Sequence, residues 1–212
     1  MNFLAHLHIA SVTQTSSLGN FLGDFVKGNP DTQFGCDVVQ GIRLHRFVDS
    51  CTDHHPLIKA LKPLFPTHLR RFSPITLDMF WDHCLAKYWS EFESVSLPDF
   101  CVQAQLQVES ESRLETNPIP ERFTRISSMV WKDKWLESYQ KIENIDFALK
   151  RMATRSPRMA PLGETGEVLT EHYAVLTEQF FLLYPDVLKE SVQFVAETKS
   201  KKETVKSPFK II

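Results

Sequence analysis

The chain has 212 residues, 42% of them hydrophobic, with 16 Phe and 4 Trp, enough apolar material for one sizeable domain with its own core. Its 24 basic and 26 acidic side chains leave a formal net charge of −2, which excludes a general attraction to nucleic acid or to an anionic membrane surface. Only 7 glycines and the lack of long alternating Val, Ile and Thr runs exclude a large sheet, so the expected fold is all-α. Cys36, Cys51, Cys84 and Cys101 show no CxxC spacing. The apolar start, Met1 to Ala10, is interrupted by His6 and His8 and has no basic leader, and no run reaches membrane-spanning length. A reduced, cytoplasmic protein with free thiols is the expectation.

In chain order, Asn2 to Ser11 reads as a short helix carrying His6 and His8. Ser16 or Ser17 caps a second helix, Leu18 to Lys27, whose core face is Leu18, Phe21, Leu22 and Phe25, with Asp24 on its flank. Gly28-Asn29-Pro30-Asp31 is a turn. A long helix follows from Gln33 to Cys51, broken by Thr52 to Pro56, and a short one runs from Pro56 to Phe65. Ser73 is the expected cap, and Pro74 the first helical position, of a helix reaching Phe92. Further helices are predicted over Leu97–Thr116, Glu121–Tyr139, Ile145–Arg155 and Glu164–Glu197, the last with a kink before Pro185. Residues 1–198 thus form one helical domain. Residues 199–212 read as a flexible Lys-rich tail that orders only on contact.

Two helices carry an anomaly. One line along the long helix is Val38, Ile42, His45, Asp49, with Asp53 a turn later. A stripe that begins apolar and turns to His, Asp, Asp is carrying titratable groups inward. A second line, Ile75, Asp78, Asp82, Leu85, Trp89, sets two acids between apolar residues, with His83 beside the second. Burying a carboxylate without a partner is costly, and inward His and Asp from two helices are how a helical protein builds a divalent-metal site. The competing reading for Asp49, Asp78 and Asp82 is a buried ion pair with Arg43, Arg46 or Lys87. For Asp24 it is an exposed flank acid.

Read together, these residues resemble the acyl carrier protein phosphodiesterases. The resemblance is carried by Asn2-Phe3-Leu4-Ala5-His6-Leu7-His8, by Gly23-Asp24-Phe25-Val26-Lys27-Gly28-Asn29-Pro30, by Gly41 through Asp53, and by Pro74 to Asp78 with Trp81-Asp82-His83. Weaker echoes lie at Met152-Ala153, Arg155, Pro157-Arg158 and His172-Tyr173. The family resembles the HD-type metal phosphohydrolases, which implies an HD-like helical arrangement and a divalent metal, manganese foremost, with magnesium or ferrous iron as alternatives. The implied reaction removes 4′-phosphopantetheine from the serine of holo-acyl carrier protein, in lipid metabolism beside fatty acid biosynthesis. Asp53-His54 and Asp82-His83 reverse the HD dipeptide, so HD-type ligand roles do not transfer by position.

The resemblance and the stripes together nominate His6, Asp24, Asp49, Asp53, Asp78 and Asp82 as metal ligands, His45 or His83 as proton shuttle, and Arg46 for the phosphoryl oxygens. A strongly acidic carrier protein calls for a basic docking face. Lys59, Lys62, His68, Arg70 and Arg71 form one basic cluster; Arg151, Arg155 and Arg158 form another. Two other functions fit the same residues: an HD-like phosphohydrolase of a small phosphorylated metabolite or nucleotide, and a helical module that binds the carrier without turnover.

Overall fold

The first helix, α1 (Phe3–Thr13), is buried along its whole middle: every residue from Leu4 to Ala10 is shielded from solvent. In a computed structural model of the protein, which describes residues 1–206 and side chains through residue 200, every regular element is helical. After α1 come α2 (Ser17–Leu22), α3 (Cys36–His54), α4 (Pro56–Leu61), α5 (Ser73–Lys87) and α6 (Leu97–Leu114). Then follow α7 (Glu121–Lys132), α8 (Trp135–Ser138), α9 (Ile142–Ala153), α10 (Thr165–Glu171) and α11 (Tyr173–Lys206). Helices α2, α3, α5 and α11 pack around α1. The buried apolar side chains form one contiguous core, from Met1 and Leu4 to Val187 and Val195. All four cysteines are free, and no helix among the described residues is long and apolar enough to cross a membrane.

A helix buried this way cannot leave its first N–H groups to water. Asn2, at its N-cap, makes no side-chain cap bond. Asp82 reaches across from α5 instead. Its Oδ2 accepts from the Leu4 N–H at 2.7 Å, and its Oδ1 accepts from Ala5 and Asn2 at 3.1 and 3.2 Å. The positive end of the α1 dipole also favours a carboxylate there. The device recurs on the other side of the molecule. Glu111 of α6 accepts from the Leu18 N–H at 2.9 Å and Ser17 N–H at 3.2 Å, at the start of α2, where Ser16 Oγ also caps Gly19.

Helices α2 and α3 touch backbone to backbone. A Cβ on Gly41 would lie 2.7 Å from the Ser16 carbonyl oxygen and 2.9 Å from Gly19 Cα, too close for any real side chain. This contact presses the carbonyl end of α2 against α3 where His45 projects.

Boundaries differ from expectation for local reasons. The second helix stops at Leu22 and tightens into a 3₁₀ turn, Gly23–Phe25. The third starts at Cys36 and runs on to His54, because His55, not Thr52, adopts the extended conformation that precedes Pro56. Ser73 is not a cap: it is already helical, following a 3₁₀ turn at Arg70–Phe72, and its Oγ donates to the Arg70 carbonyl at 2.8 Å. The segment Glu121–Tyr139 is broken by Lys134, at φ 49°, into α7 and α8. The last helix breaks at His172, and Pro185 lies inside α11, which continues through Lys206. The rest of the Lys-rich segment, 207–212, lies outside the described residues.

Asp82→Asn is expected to lower stability, because one amide oxygen cannot serve three N–H donors and the new NH₂ faces them. The expected loss is about 1–3 kcal/mol, read as the shift in the urea midpoint at unchanged slope. An unchanged midpoint would show that α1 does not depend on this cap.

Candidate active site

Four of the nominated side chains meet where α1, α3 and the 3₁₀ turn Gly23–Phe25 come together. His6 Nε2 lies 3.1 Å from Asp49 Oδ1, and His45 Nε2 lies 3.1 Å from Asp49 Oδ2. Asp24 closes the other side, its Oδ1 3.5 Å from His45 Nε2. The two imidazoles stack with centroids 3.7 Å apart and planes 20° from parallel. Both are buried, whereas Asp49 and Asp24 are 38% and 55% exposed, so the cluster opens to the surface on its carboxylate side.

The backbone sets the chemistry of His45. Its Nδ1 lies 2.7 Å from the Asn20 carbonyl oxygen, which can only accept, so Nδ1 carries a proton. That leaves Nε2 directed at two carboxylates, where a bare lone pair would be repelled. A proton or a metal ion must sit there. Gly23 permits the arrangement, since a Cβ at that position would fall on the His45 ring.

The charges sort accordingly. Burial works against a proton on His45, but the Asp24 and Asp49 carboxylates prevail and raise it to about 9. Burial, helped by the His45 cation, pushes His6 down to about 4. Burial would raise Asp49, yet its hydrogen bonds with His45 and His6 hold it well below the usual carboxylate range. Asp24 is lowered too, burial being outweighed by its bond with His45.

The Met1 amino group borders the cluster. It is buried, 2.5 Å from Asp78 Oδ1 and 3.7 Å from Asp49 Oδ1. Asp78 is therefore neighbour to Asp49 through this ammonium; burial lifts its carboxyl to about 6 against that cation. Asp82 lies on the other side of the same amino terminus, with both oxygens engaged by α1. Asp53 is exposed on the last turn of α3. None of these acids takes the arginine or lysine partner considered from the sequence. Arg43 pairs with Asp31, and Lys87 donates to the Tyr173 hydroxyl at 2.8 Å. Arg46 donates to the Val26 and Gly28 carbonyls at 2.8 Å each, tying the loop after Asp24 to α3.

His83 is held elsewhere: its Nδ1–H donates to the Tyr139 carbonyl and its Nε2 accepts from the Tyr173 hydroxyl, each at 2.7 Å. His8 is likewise spent, between Tyr184 Oη at 2.6 Å and Glu93 Oε1 at 3.1 Å. The two basic clusters touch at one point, where Arg71 donates to the Arg158 carbonyl at 3.0 Å. Arg70 and Arg155 are exposed beside them in chain order. Sequence reasoning missed the Asn20 carbonyl and the Met1 amino group. Both are backbone groups, which no side-chain pattern reveals.

The match to known proteins decides the family. The family model for acyl carrier protein phosphodiesterase matches residues 1–187. The chain belongs to the acyl carrier protein phosphodiesterase family. A relative of that name from Serratia proteamaculans (strain 568) is 42% identical over 192 residues, covering 90% of this chain and 97% of its own. Those from Yersinia pestis and Photorhabdus laumondii are 40% and 41% identical, each over 90% of this chain and over 97% and 95% of their own. No solved structure matches.

The donor set suits a divalent ion. One ligand atom from each of His6, His45 and Asp49 lies within 4.8 Å of the others. Imidazole nitrogens and a carboxylate are donors that transition metals such as manganese accept, and the His45 Nδ1–H bond to Asn20 would orient that imidazole toward an ion at Nε2. His6 Nδ1 is buried without a hydrogen-bond partner among the described residues.

With chelator present, the pH dependence follows from His45. A folded value near 9, above the ordinary 6.5, gives stability that is fully present below pH 6.5 and lost as pH rises through 9. The difference in unfolding free energy between the native chain and His45→Asn should therefore shrink between those pH values. A difference that stays constant would show that His45 carries no proton between its carboxylates.

Proposed function

We propose that this chain hydrolyses the phosphodiester joining 4′-phosphopantetheine to the serine of holo-acyl carrier protein, giving apo-acyl carrier protein and 4′-phosphopantetheine. The observation that carries the reading is the His6–His45–Asp49 cluster, open to the surface at Asp24, in a chain of this family. The opening suits a protein-borne phosphodiester. A groove of about 880 Å³ lies elsewhere, among α1, α6 and the start of α3, lined by Leu7, Gln14, Gln103 and Gln107 and by none of the four cluster residues.

His6, His45 and Asp49 would hold a divalent ion, manganese foremost, with magnesium or ferrous iron as alternatives. When bound, that ion neutralises phosphoryl charge and lowers the pKa of a bound water. The chain's own groups do the rest. Asn20 fixes the His45 ring through Nδ1–H. Arg46 positions the loop behind Asp24 through the Val26 and Gly28 carbonyls. Asp24, exposed at the open edge, would take a proton from the attacking water. The leaving serine oxygen takes up a proton in its turn, so the displacement conserves protons overall.

Mass spectrometry of holo-acyl carrier protein incubated with the chain is expected to show loss of the phosphopantetheine mass with manganese and none with chelator. No loss with manganese, magnesium or iron would sink this reading and favour a small phosphorylated substrate. Gly23→Ala, which displaces His45, is expected to stay helical by circular dichroism and to bind manganese about 10–100-fold more weakly in calorimetry. Undiminished manganese binding would remove His45 from the ligand set.

A further inference from the structure

We propose that the rim formed by the 3₁₀ turn Gly23–Phe25 and the start of α7 docks an acidic protein surface, that of the carrier beside its modified serine. The inference rests on the serine phosphodiester being the bond cleaved. Serine Oγ is one carbon from the main chain. When that bond reaches the cluster, the carrier's own surface must therefore lie against the mouth, and the groups that receive it must border Asp24.

Three cations stand there. Lys27 is exposed two residues past Phe25. Arg122, exposed on the first turn of α7, lies with its guanidinium 5.5 Å from the centre of the Phe25 ring. Arg125 follows one turn on, also exposed. Phe25 itself is half-buried and stacks on Phe3, centroids 6.4 Å apart at 20°, so Arg122 rests on a fixed aromatic base. Some exposed cations are paired, as Arg43 is with Asp31 and Lys150 with Asp146. Among the described residues, none of the three rim cations has a carboxylate partner. Three unpaired cations bordering an acidic catalytic cluster draw in an acidic partner without neutralising the cluster. The Arg71–Arg158 surface is also basic, but it joins the frame at the start of α5, not at the turn that carries Asp24.

The test uses the full chain in three forms: native, Lys27→Glu/Arg122→Glu, and Arg71→Glu/Arg158→Glu. Binding of holo-acyl carrier protein is titrated with chelator present, and turnover is measured with manganese on the carrier and on bis(4-nitrophenyl) phosphate. At about 50 mM salt the rim variant is expected to bind the carrier about tenfold or more weakly, with KM raised in step. Its turnover of the small diester should stay within about twofold of native, because the side chains of Lys27 and Arg122 make no contact with His6, His45 or Asp49. Unchanged carrier binding in the rim variant overturns the proposal. So does a loss confined to the Arg71/Arg158 variant, or a parallel fall on the small diester. A native chain that binds the carrier through this rim yet releases no phosphopantetheine would overturn the catalytic reading and leave the rim assigned.

Discussion

The structure depends on the carboxylate of Asp82 beneath the first turn of α1. Burying a whole helix brings a large apolar surface out of water but strands the N–H groups of its first turn. Asp82 accepts from three of them, and burial pushes its carboxyl up to about 7 even though the Leu4 and Ala5 N–H groups favour the charge. With α1 fixed by its N-terminus, His6 and His8 enter the interior at set heights. One meets Asp49; the other is spent between Tyr184 and Glu93.

The candidate site follows from a second constraint, the backbone contact of α2 with α3 at Gly19 and Gly41. It brings the Asn20 carbonyl to His45 Nδ1 and the 3₁₀ turn, with Asp24, to His45 Nε2. A main-chain carbonyl thus decides which imidazole nitrogen faces the acids. The two stacked imidazoles are unequal: burial, with the neighbouring His45 cation, drives His6 down to about 4, while the Asp24 and Asp49 carboxylates raise His45 to about 9. Such a divided pair, facing carboxylates and open on one side, is suited to exchanging protons for a cation.

Much of this was legible beforehand. Along the i, i+4, i+7, i+11 line, Val38 and Ile42 lie beside α2 at Gly19 while His45 and Asp49 meet His6 of α1, and the all-helical fold follows from composition and spacing. The second line was read less well. Ile75, at the head of that line, is 37% exposed, and the two acids have different partners: Asp78 faces the Met1 ammonium, and Asp82 faces backbone N–H groups. Periodicity tells which residues share a face of a helix. It does not tell what stands opposite, and an inward carboxylate reads the same whether a cation, an imidazole or a helix end awaits it.

From the residues alone it follows that the chain is helical, that α3 and α5 carry His and Asp on lines of apolar residues, and which family it belongs to. Those are properties of local spacing and of residue order. Only the tertiary structure decided that His6, His45, Asp49 and Asp24 meet while His83 is bonded to Tyr139 and Tyr173. It also decided that Asp82 caps α1, and that basic segments 87 residues apart join through Arg71 and Arg158. Each of these is a contact between elements distant in the chain, several through main-chain N–H or C=O groups that every residue carries alike. Helix packing selects among them, and side-chain identity does not.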